Sequence, residues 1–136
     1  MTVRRAQPEK AEQAGIVKLA MSLGGRVYVL GTRRRAGDYQ GTMQTPGIPD
    51  LLVFLPVRWH TSGEAVGYRQ LWIEVKAATG RLSDAQNTFQ GLCAMSGQPH
   101  VVGGVTEFCG WLIAQGYLTR EQVPWYRQET TCTNSQ

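Results

Sequence analysis

Two apolar runs in the middle of the chain have charged side chains within them or directly beside them. Buried strands normally carry no such charges. The first run, 51–55, directly follows Asp50, and the second, 71–75, contains Glu74 and is followed by Lys76. Short apolar runs bounded by turn residues predict strands in a protein core. Because an unpaired charge in such a strand is costly, the three charges together indicate a functional site.

The composition predicts one folded domain inside a cell. The 136 residues are 42% hydrophobic and 18% charged, and no run approaches the roughly 18 apolar residues that cross a bilayer. We expect a single domain over residues 1–128 and a frayed polar tail over 129–136. The N-terminal residues lack the apolar segment of a secretory signal, so a cytoplasmic location is expected.

Cysteine and histidine usage argues against a disulfide framework and a structural zinc site. The three cysteines, Cys93, Cys109 and Cys132, form no CxxC pair and are expected to be reduced thiols. The two histidines, His60 and His100, have no companion at ligand spacing. No Ser/His/Asp arrangement for nucleophilic catalysis is visible in the sequence. The sequence also has no GxxxxGK[ST] loop for nucleotide binding, which argues against ATP-driven activity.

Positive charge is concentrated in the first third of the chain. Residues 1–40 hold eight Lys/Arg against three Asp/Glu, whereas residues 41–136 hold six against seven. Arg26 and the run Arg33, Arg34 and Arg35 would attract phosphates whatever the base sequence, so they are candidate DNA contacts. The alternative is a solvated loop whose charge only aids solubility.

Start, stop and periodicity signals predict an α/β fold in the order αβββαβα, with helices on the faces of a small mixed sheet. In the first helix, an i, i+3, i+4, i+7 stripe is expected to be buried; it consists of Ile16, Leu19, Ala20 and Leu23. The predicted helices are Glu9–Leu23, Ser83–Ser96, one capped by Thr106 that ends near Gly116, and a short one from Thr119. The predicted strands are Val27–Leu30, Asp50–Leu55, Leu71–Ala77 and Val101–Gly103, with a flexible connection over 31–46 and a long hairpin loop over 56–70. The core face of the second long helix is assigned to Ala85, Phe89, Leu92 and Cys93.

The alternation of side chains along a strand places the charges of the second run together. Glu74 and Lys76 point to one side about 7 Å apart. If the hairpin pairs in an even register, such as Leu55 opposite Leu71, then Lys76 lies opposite Asp50 and all three polar side chains share a face. A shift of one residue would move Asp50 to the other side and remove the site.

This arrangement offers oxygen ligands to a divalent cation. Asp50, Glu74 and the backbone carbonyl of Val75 are the hard oxygens that Mg²⁺ or Mn²⁺ prefers. Lys76 is placed to hold an attacking water or to stabilise charge on a phosphodiester. The ordinary explanations are a turn residue for Asp50 and a salt bridge between the acid and the lysine.

Two acids of the first helix extend the candidate site. Glu9 lies at the end of the apolar stripe and is a further metal-ligand candidate, whereas Glu12 lies nearer its edge. Glu9 is alternatively a first-turn acid that the helix dipole favours.

Several segments resemble the signature of the VRR-NUC family within the PD-(D/E)XK nuclease superfamily; they are Gly47-Ile48-Pro49-Asp50, Trp72-Ile73-Glu74-Val75-Lys76, Gly80-Arg81-Leu82-Ser83 and Gln86. The resemblance covers nearly the whole chain and implies a restriction-endonuclease-like αβββαβ core. It also implies that Glu9 and Gln13 match the family's Glu-x-x-x-Gln helix, and that Gln86 lines the site.

The resemblance further implies a Mg²⁺- or Mn²⁺-dependent DNA nuclease. Short stand-alone members of the family come from bacteria and phages and are associated with dimers that cut four-way junctions. The expected function is therefore a structure-selective endonuclease that acts as a homodimer on branched DNA such as Holliday junctions, in repair or recombination, without a membrane or a nucleotide cofactor.

Some alternatives stay open at the level of sequence. Ser83 and Gln86 form a capping-box pattern, which would explain Gln86 without a site. Arg81 is either a phosphate clamp or an ordinary turn cation. For the whole chain, the alternatives are a catalytically silent DNA-binding module and a nuclease that acts on flap or linear DNA, on sequence-specific duplex DNA or on RNA.

Overall fold

A computed structural model of the chain describes residues 9–30, 45–59 and 61–124. The elements follow the predicted order, with a 3₁₀ helix after the last α-helix. They are α1 (Glu9–Ser22), β1 (Arg26–Val29), β2 (Leu51–Arg58), β3 (Ala65–Val75), α2 (Asp84–Met95), β4 (His100–Gly103), α3 (Val105–Ala114) and the 3₁₀ helix Arg120–Gln122. The predicted α/β class is confirmed.

The four strands form one mixed sheet in the order β1-β2-β3-β4. β1, β2 and β3 are antiparallel neighbours, as the predicted hairpin requires. β4 runs parallel to β3, and α2 forms the crossover that a parallel connection needs.

The hydrophobic core lies between one face of the sheet and the helices α1 and α3. The helices contribute the fully buried side chains Ile16, Ala20, Phe108 and Leu112. The strand residues of this face are buried with them, and burial of this apolar surface is the main stabilising contribution; they are Leu51, Val53, Leu55, Leu71, Ile73, Val75 and Val101. Leu19 and Leu23, the other two residues of the predicted α1 stripe, are partly buried and pack against this core.

α2 lies on the opposite face of the sheet. Phe89 packs edge-to-face on Trp72, with 5.1 Å between ring centroids, and lies 6.0 Å from His100. Cys93 is buried, but Leu92 is 58% exposed, so its assignment to the core face was wrong. In the described part of the chain, α2 packs on β4 and Trp72 of β3, which leaves a narrow apolar stripe on the helix.

The hairpin between β2 and β3 is longer than predicted. We expected a loop over 56–70, but β2 continues to Arg58 and β3 begins at Ala65, with Pro56 paired to Tyr68. Residues 65–69 are exposed on both faces, so they lack the alternation that marks a half-buried strand. Backbone pairing does not require that pattern, and the loop prediction was wrong.

α3 begins one residue before the predicted cap. Its first residue is Val105, and Gly104 rather than Thr106 occupies the N-cap position. The short helix predicted from Thr119 is the 3₁₀ helix, and Thr119 caps it by accepting from the amide of Gln122 through its Oγ1.

Three further expectations concern the chain as a whole. Cys93 and Cys109, which were expected to be reduced thiols, are free and buried. Within the described ranges, no helix has the length and apolar character needed to span a membrane. Cys132, His60 and the tail 129–136 lie outside the described residues.

Candidate active site

The observed strand register differs from the predicted register by two residues. Leu71 pairs with Val53, where we expected it opposite Leu55. Because side chains alternate along a strand, an even shift leaves each side chain on its predicted face. Continued by one residue, the observed register places Asp50 opposite Glu74 rather than opposite the lysine.

Asp50 is fixed at the start of β2 by hydrogen bonds from both neighbouring strands. Its Oδ2 accepts from the backbone amide of Val75 at 2.8 Å. Its carbonyl accepts from the amide of Leu30, just beyond β1, at 2.7 Å. The carboxylate is half-buried and faces the end of β3.

A close backbone approach ties the loop before Asp50 to α2. Gly47 has a φ of +93°, and a Cβ at this position would lie 2.5 Å from the carbonyl oxygen of Ala85. Only glycine fits both the conformation and the space. The contact brings Asp50 beside the helix turn that carries Gln86; the sequence contained no signal for it beyond the glycine itself.

Glu74 is the buried charged side chain of the described residues, with 3% of its surface exposed. Its Oε2 accepts a hydrogen bond from Nε2 of Gln86 at 2.9 Å. Its Oε1 is buried and has no hydrogen-bond partner among the described residues. An ionised oxygen in this position is costly unless a cation or a donor approaches it.

Burial and a neighbouring carboxylate raise the pKa of Glu74 from 4.5 to about 8. Burial contributes most, followed by Asp50, which hydrogen-bonds to the protonated form and repels the ionised form. Glu9 repels it further, whereas the ammonium of Lys76 acts in the opposite direction. A perturbed carboxyl beside a second acid and a lysine is typical of a functional site.

Gln86 makes the capping contacts that the sequence predicted and also contacts Glu74. Its Oε1 accepts from the amide of Ser83 at 2.8 Å, and its own amide donates to Ser83 Oγ at 3.2 Å, which completes a capping box. Its Nε2 donates to Glu74 at the same time. The cap therefore fixes the side chain that orients the buried carboxylate.

The two acids of α1 have different surroundings. Oε2 of Glu9 accepts from the amide of Ala77 at 3.5 Å, just beyond β3, and its charge acts on Glu74. Oε1 of Glu12 instead accepts from the amide of Val105 at 2.7 Å, at the first turn of α3. A Cβ at Gly104 would collide with this carboxylate. Glu12 therefore caps α3, and Glu9 is the acid of α1 that lies near the site.

The basic side chains that were predicted to serve catalysis or DNA binding, and that the structure describes, lie at different distances from the site. Lys76 is half-buried directly after β3, and Arg81 is exposed in the connection to α2. Arg26 is exposed at the start of β1. It pairs with Phe54, which lies four residues from Asp50 along β2. Arg33, Arg34 and Arg35 lie outside the described residues.

The site offers few donors to a divalent cation. In residues 9–30, 45–59 and 61–124, no three His, Cys, Asp or Glu side chains form a metal-binding group. Asp50 and Glu74 nevertheless converge, and Mg²⁺ commonly binds through one or two carboxylates while it keeps several waters. A cation would pair with the partnerless oxygen of Glu74 and relieve its repulsion with Asp50. These residues fit Mg²⁺ or Mn²⁺.

The fold of the chain is similar to that of a solved structure. A solved structure described as a VRR_NUC domain matches with a TM-score of 0.55 and 24% sequence identity, over 80% of this chain and 97% of that chain. The chain has the fold of a VRR_NUC domain. The sequence resemblance to this family is thereby confirmed at the level of fold. No family model matches the chain, and neither does any curated protein.

Proposed function

We propose that this protein is a Mg²⁺- or Mn²⁺-dependent, structure-selective DNA endonuclease that cuts branched DNA such as four-way junctions. The observation that carries the proposal is the approach of Asp50 to Glu74 in a VRR_NUC fold, where Glu74 Oε1 is buried and has no partner in the described part of the chain. A buried glutamate whose ionisation is opposed by burial and by a second carboxyl group is unfavourable in a purely structural role.

The residues around this pair have distinct proposed roles. Asp50, Glu74 and the carbonyl of Val75 would hold the cation, which supplies charge neutralisation at the phosphate and activation of the attacking water. Lys76 orients that water and stabilises the charge that develops on the phosphate. Gln86 keeps the carboxylate of Glu74 in one orientation through the observed amide contact.

The outer parts of the site are assigned to substrate binding and support. Glu9 lies close enough to act electrostatically on Glu74, and we include it as an outer ligand of the cation. The proposed DNA contacts are made to phosphates, which position the substrate without reading its sequence; they are Arg26, Arg33, Arg34, Arg35 and Arg81.

A homodimer is the assembly that suits this substrate. A four-way junction contains two equivalent strands, and a two-fold dimer presents two sites related by the same symmetry. In this proposal residues 1–128 form one nuclease domain that works in the cytoplasm of a bacterial or phage-infected cell. Light scattering would then give a mass of twice the 15.1 kDa chain.

Cleavage assays test the proposal directly. Labelled four-way, flap and linear DNA are incubated with the protein in Mg²⁺, in Mn²⁺ and in EDTA. We expect cleavage of the four-way junction with either metal and none in EDTA. Preferred cleavage of flap or linear DNA would change the substrate, and absence of cleavage of every DNA would refute the nuclease.

Two variants separate catalysis from binding. Asp50→Ala and Lys76→Ala are expected to abolish turnover while they leave junction affinity unchanged, because neither side chain is needed for contacts to distant phosphates. Glu64→Ala, which removes an exposed acid of the hairpin turn, is the matched control. Wild-type cleavage rates in either site variant would contradict the assignment, and binding without cleavage in all proteins would identify a silent DNA-binding module.

A further inference from the structure

The sheet face opposite the core carries exposed aromatic side chains beyond the part that α2 covers. We call Arg26, Tyr28, Phe54 and Tyr68 the aromatic platform, because they line one shallow groove. Tyr28 is 52% exposed and Tyr68 is 57% exposed. Phe54 packs edge-on with Tyr28 at 6.0 Å between ring centroids, which holds the tyrosine ring in place.

The platform lies on the same sheet face as the candidate active site. Tyr28 pairs with Leu52, and Leu52 pairs with Trp72, two residues before Glu74. Strand spacing and residue rise place Tyr28 about 12 Å from Glu74 along the sheet. Tyr68 lies six residues before Glu74 on β3, about 20 Å away by the same rise. The platform thus begins beside the site and leads away from it.

The charge of the platform favours an anionic partner over a second copy of the chain. Arg26 contributes a cation, and the described residues that line the groove and its continuation along β1 include no carboxylate. In a two-fold interface the patch would meet itself, so each Arg26 would find no acid opposite. A nucleic acid strand provides phosphates for the cation and flat bases for the tyrosines.

We propose that the aromatic platform binds unpaired DNA next to the cleavage site. Bases on one side of the scissile phosphate stack on Tyr28 and Tyr68, and Arg26 contacts the intervening backbone. This inference rests on the proposed nuclease function and adds a binding surface to it. Its consequence is that a junction whose bases open at the branch point beside the cut is bound more tightly than one that stays fully paired.

Binding without cleavage tests the platform. The affinities of labelled oligothymidylate and of a duplex of equal length are measured by fluorescence anisotropy in EDTA. The variant with both Tyr28→Ala and Tyr68→Ala is expected to bind oligothymidylate at least about tenfold more weakly, since base stacking on each ring is lost. The variant with Tyr28→Phe and Tyr68→Phe keeps both rings and is expected to stay within about threefold of the wild type. Leu92→Ala, at a 58% exposed side chain on α2, is the control for loss of surface apolar area.

A second measurement keeps the test decisive if the alanine variant folds poorly. Photocross-linking of iodouracil-substituted single strands to the wild type is expected to label Tyr28 and Tyr68, as read by mass spectrometry. Labelling confined to other residues, or equal affinities of the alanine and phenylalanine variants, would overturn the proposal. So would a wild-type dimer that the alanine variant loses while oligothymidylate binding persists, because the platform would then be a subunit interface.

The outcomes distinguish this inference from the proposed function. Platform-dependent binding by a protein that cleaves no DNA would leave the platform standing and refute the nuclease. Metal-dependent junction cleavage, together with an oligothymidylate affinity that does not change when Tyr28 and Tyr68 are replaced, would support the nuclease and refute the platform.

Discussion

The charge of Glu74 depends on neighbours that act in opposite directions. Burial and the Asp50 carboxylate favour its protonated form, whereas Lys76 favours the ionised form, and the resulting pKa is about 8. At neutral pH a proton therefore occupies the position that a cation would take. Because a metal binds the ionised carboxylate, protons compete with it, and metal affinity is expected to fall as the pH is lowered.

The raised pKa of Glu74 predicts how stability depends on pH in the metal-free protein. The folded state holds the proton up to a pH of about 8, whereas the unfolded chain releases it near 4.5. Stability conferred by this group is therefore fully present below the unfolded pKa and is lost as the pH rises through the folded pKa, by at most about 1.4 kcal/mol per pH unit. Glu74→Gln does not show this loss, so its unfolding free energy is expected to rise relative to that of the wild type between about pH 5 and pH 8.

Urea unfolding in EDTA across this pH interval checks the prediction. Glu64→Gln removes an exposed acid and is expected to follow the wild-type curve. Curves for Glu74→Gln and wild type that stay parallel would show that Glu74 does not titrate with a raised pKa.

The first turn of α2 links a helix cap to the site, and two variants separate these roles. Ser83→Ala removes the hydroxyl that caps Gln86 but leaves the Gln86 contact to Glu74. We expect a loss of about 1 kcal/mol in unfolding free energy with cleavage within about threefold of the wild type. Gln86→Ala keeps the backbone contact to Ser83 Oγ but loses the side-chain acceptor of the Ser83 amide and the contact to Glu74, so cleavage is expected to fall about 10- to 100-fold as well. Equal cleavage rates in the two variants would mean that Gln86 is only a cap.

Gly47 connects the loop before β2 to α2, and substitution is expected to damage the site. Gly47→Ala adds a Cβ that collides with the Ala85 carbonyl and strains a positive φ. Gly63 also has a positive φ, of +74°, but nothing lies within 4 Å of its Cβ position, so Gly63→Ala reports the strain alone. We expect about 1–2 kcal/mol of destabilisation for Gly63→Ala and a larger value with reduced cleavage for Gly47→Ala. Chemical unfolding and junction cleavage measure both, and matching results for the two variants would contradict the role of the contact.

The elements that the sequence predicted well are those with one buried face. β2 and β3 were identified from their apolar runs, and the period of two kept Asp50 and Glu74 on one face although the predicted register was wrong by two residues. The outer half of the hairpin was missed because residues 65–69 bury neither face and so show no periodicity. Propensity alone does not define such a strand.

At the scale of the whole molecule, the candidate site is assembled from four separate segments. Glu9, Asp50, Glu74 and Gln86 come from the start of α1, the start of β2, the end of β3 and the first turn of α2. Their residue types were recognisable in the sequence, but their contacts depend on tertiary packing. The different roles of Glu9 and Glu12 are an example, because the contact of Glu12 depends on where α3 begins.

The two acids of α1 are expected to separate folding from activity. Glu12→Ala leaves the amide of Val105 without its acceptor at the start of α3, so we expect a loss of about 1–3 kcal/mol in unfolding free energy. Glu12→Gln keeps an acceptor oxygen and should lose less, with cleavage near the wild-type rate in both. Glu9→Gln changes an exposed side chain and is expected to alter stability by less than about 0.5 kcal/mol, while cleavage falls about 10- to 100-fold. Thermal or urea unfolding and junction cleavage on the same preparations give both quantities. If Glu9→Gln cleaved normally and Glu12→Gln did not, the acid of α1 that serves the site would be Glu12.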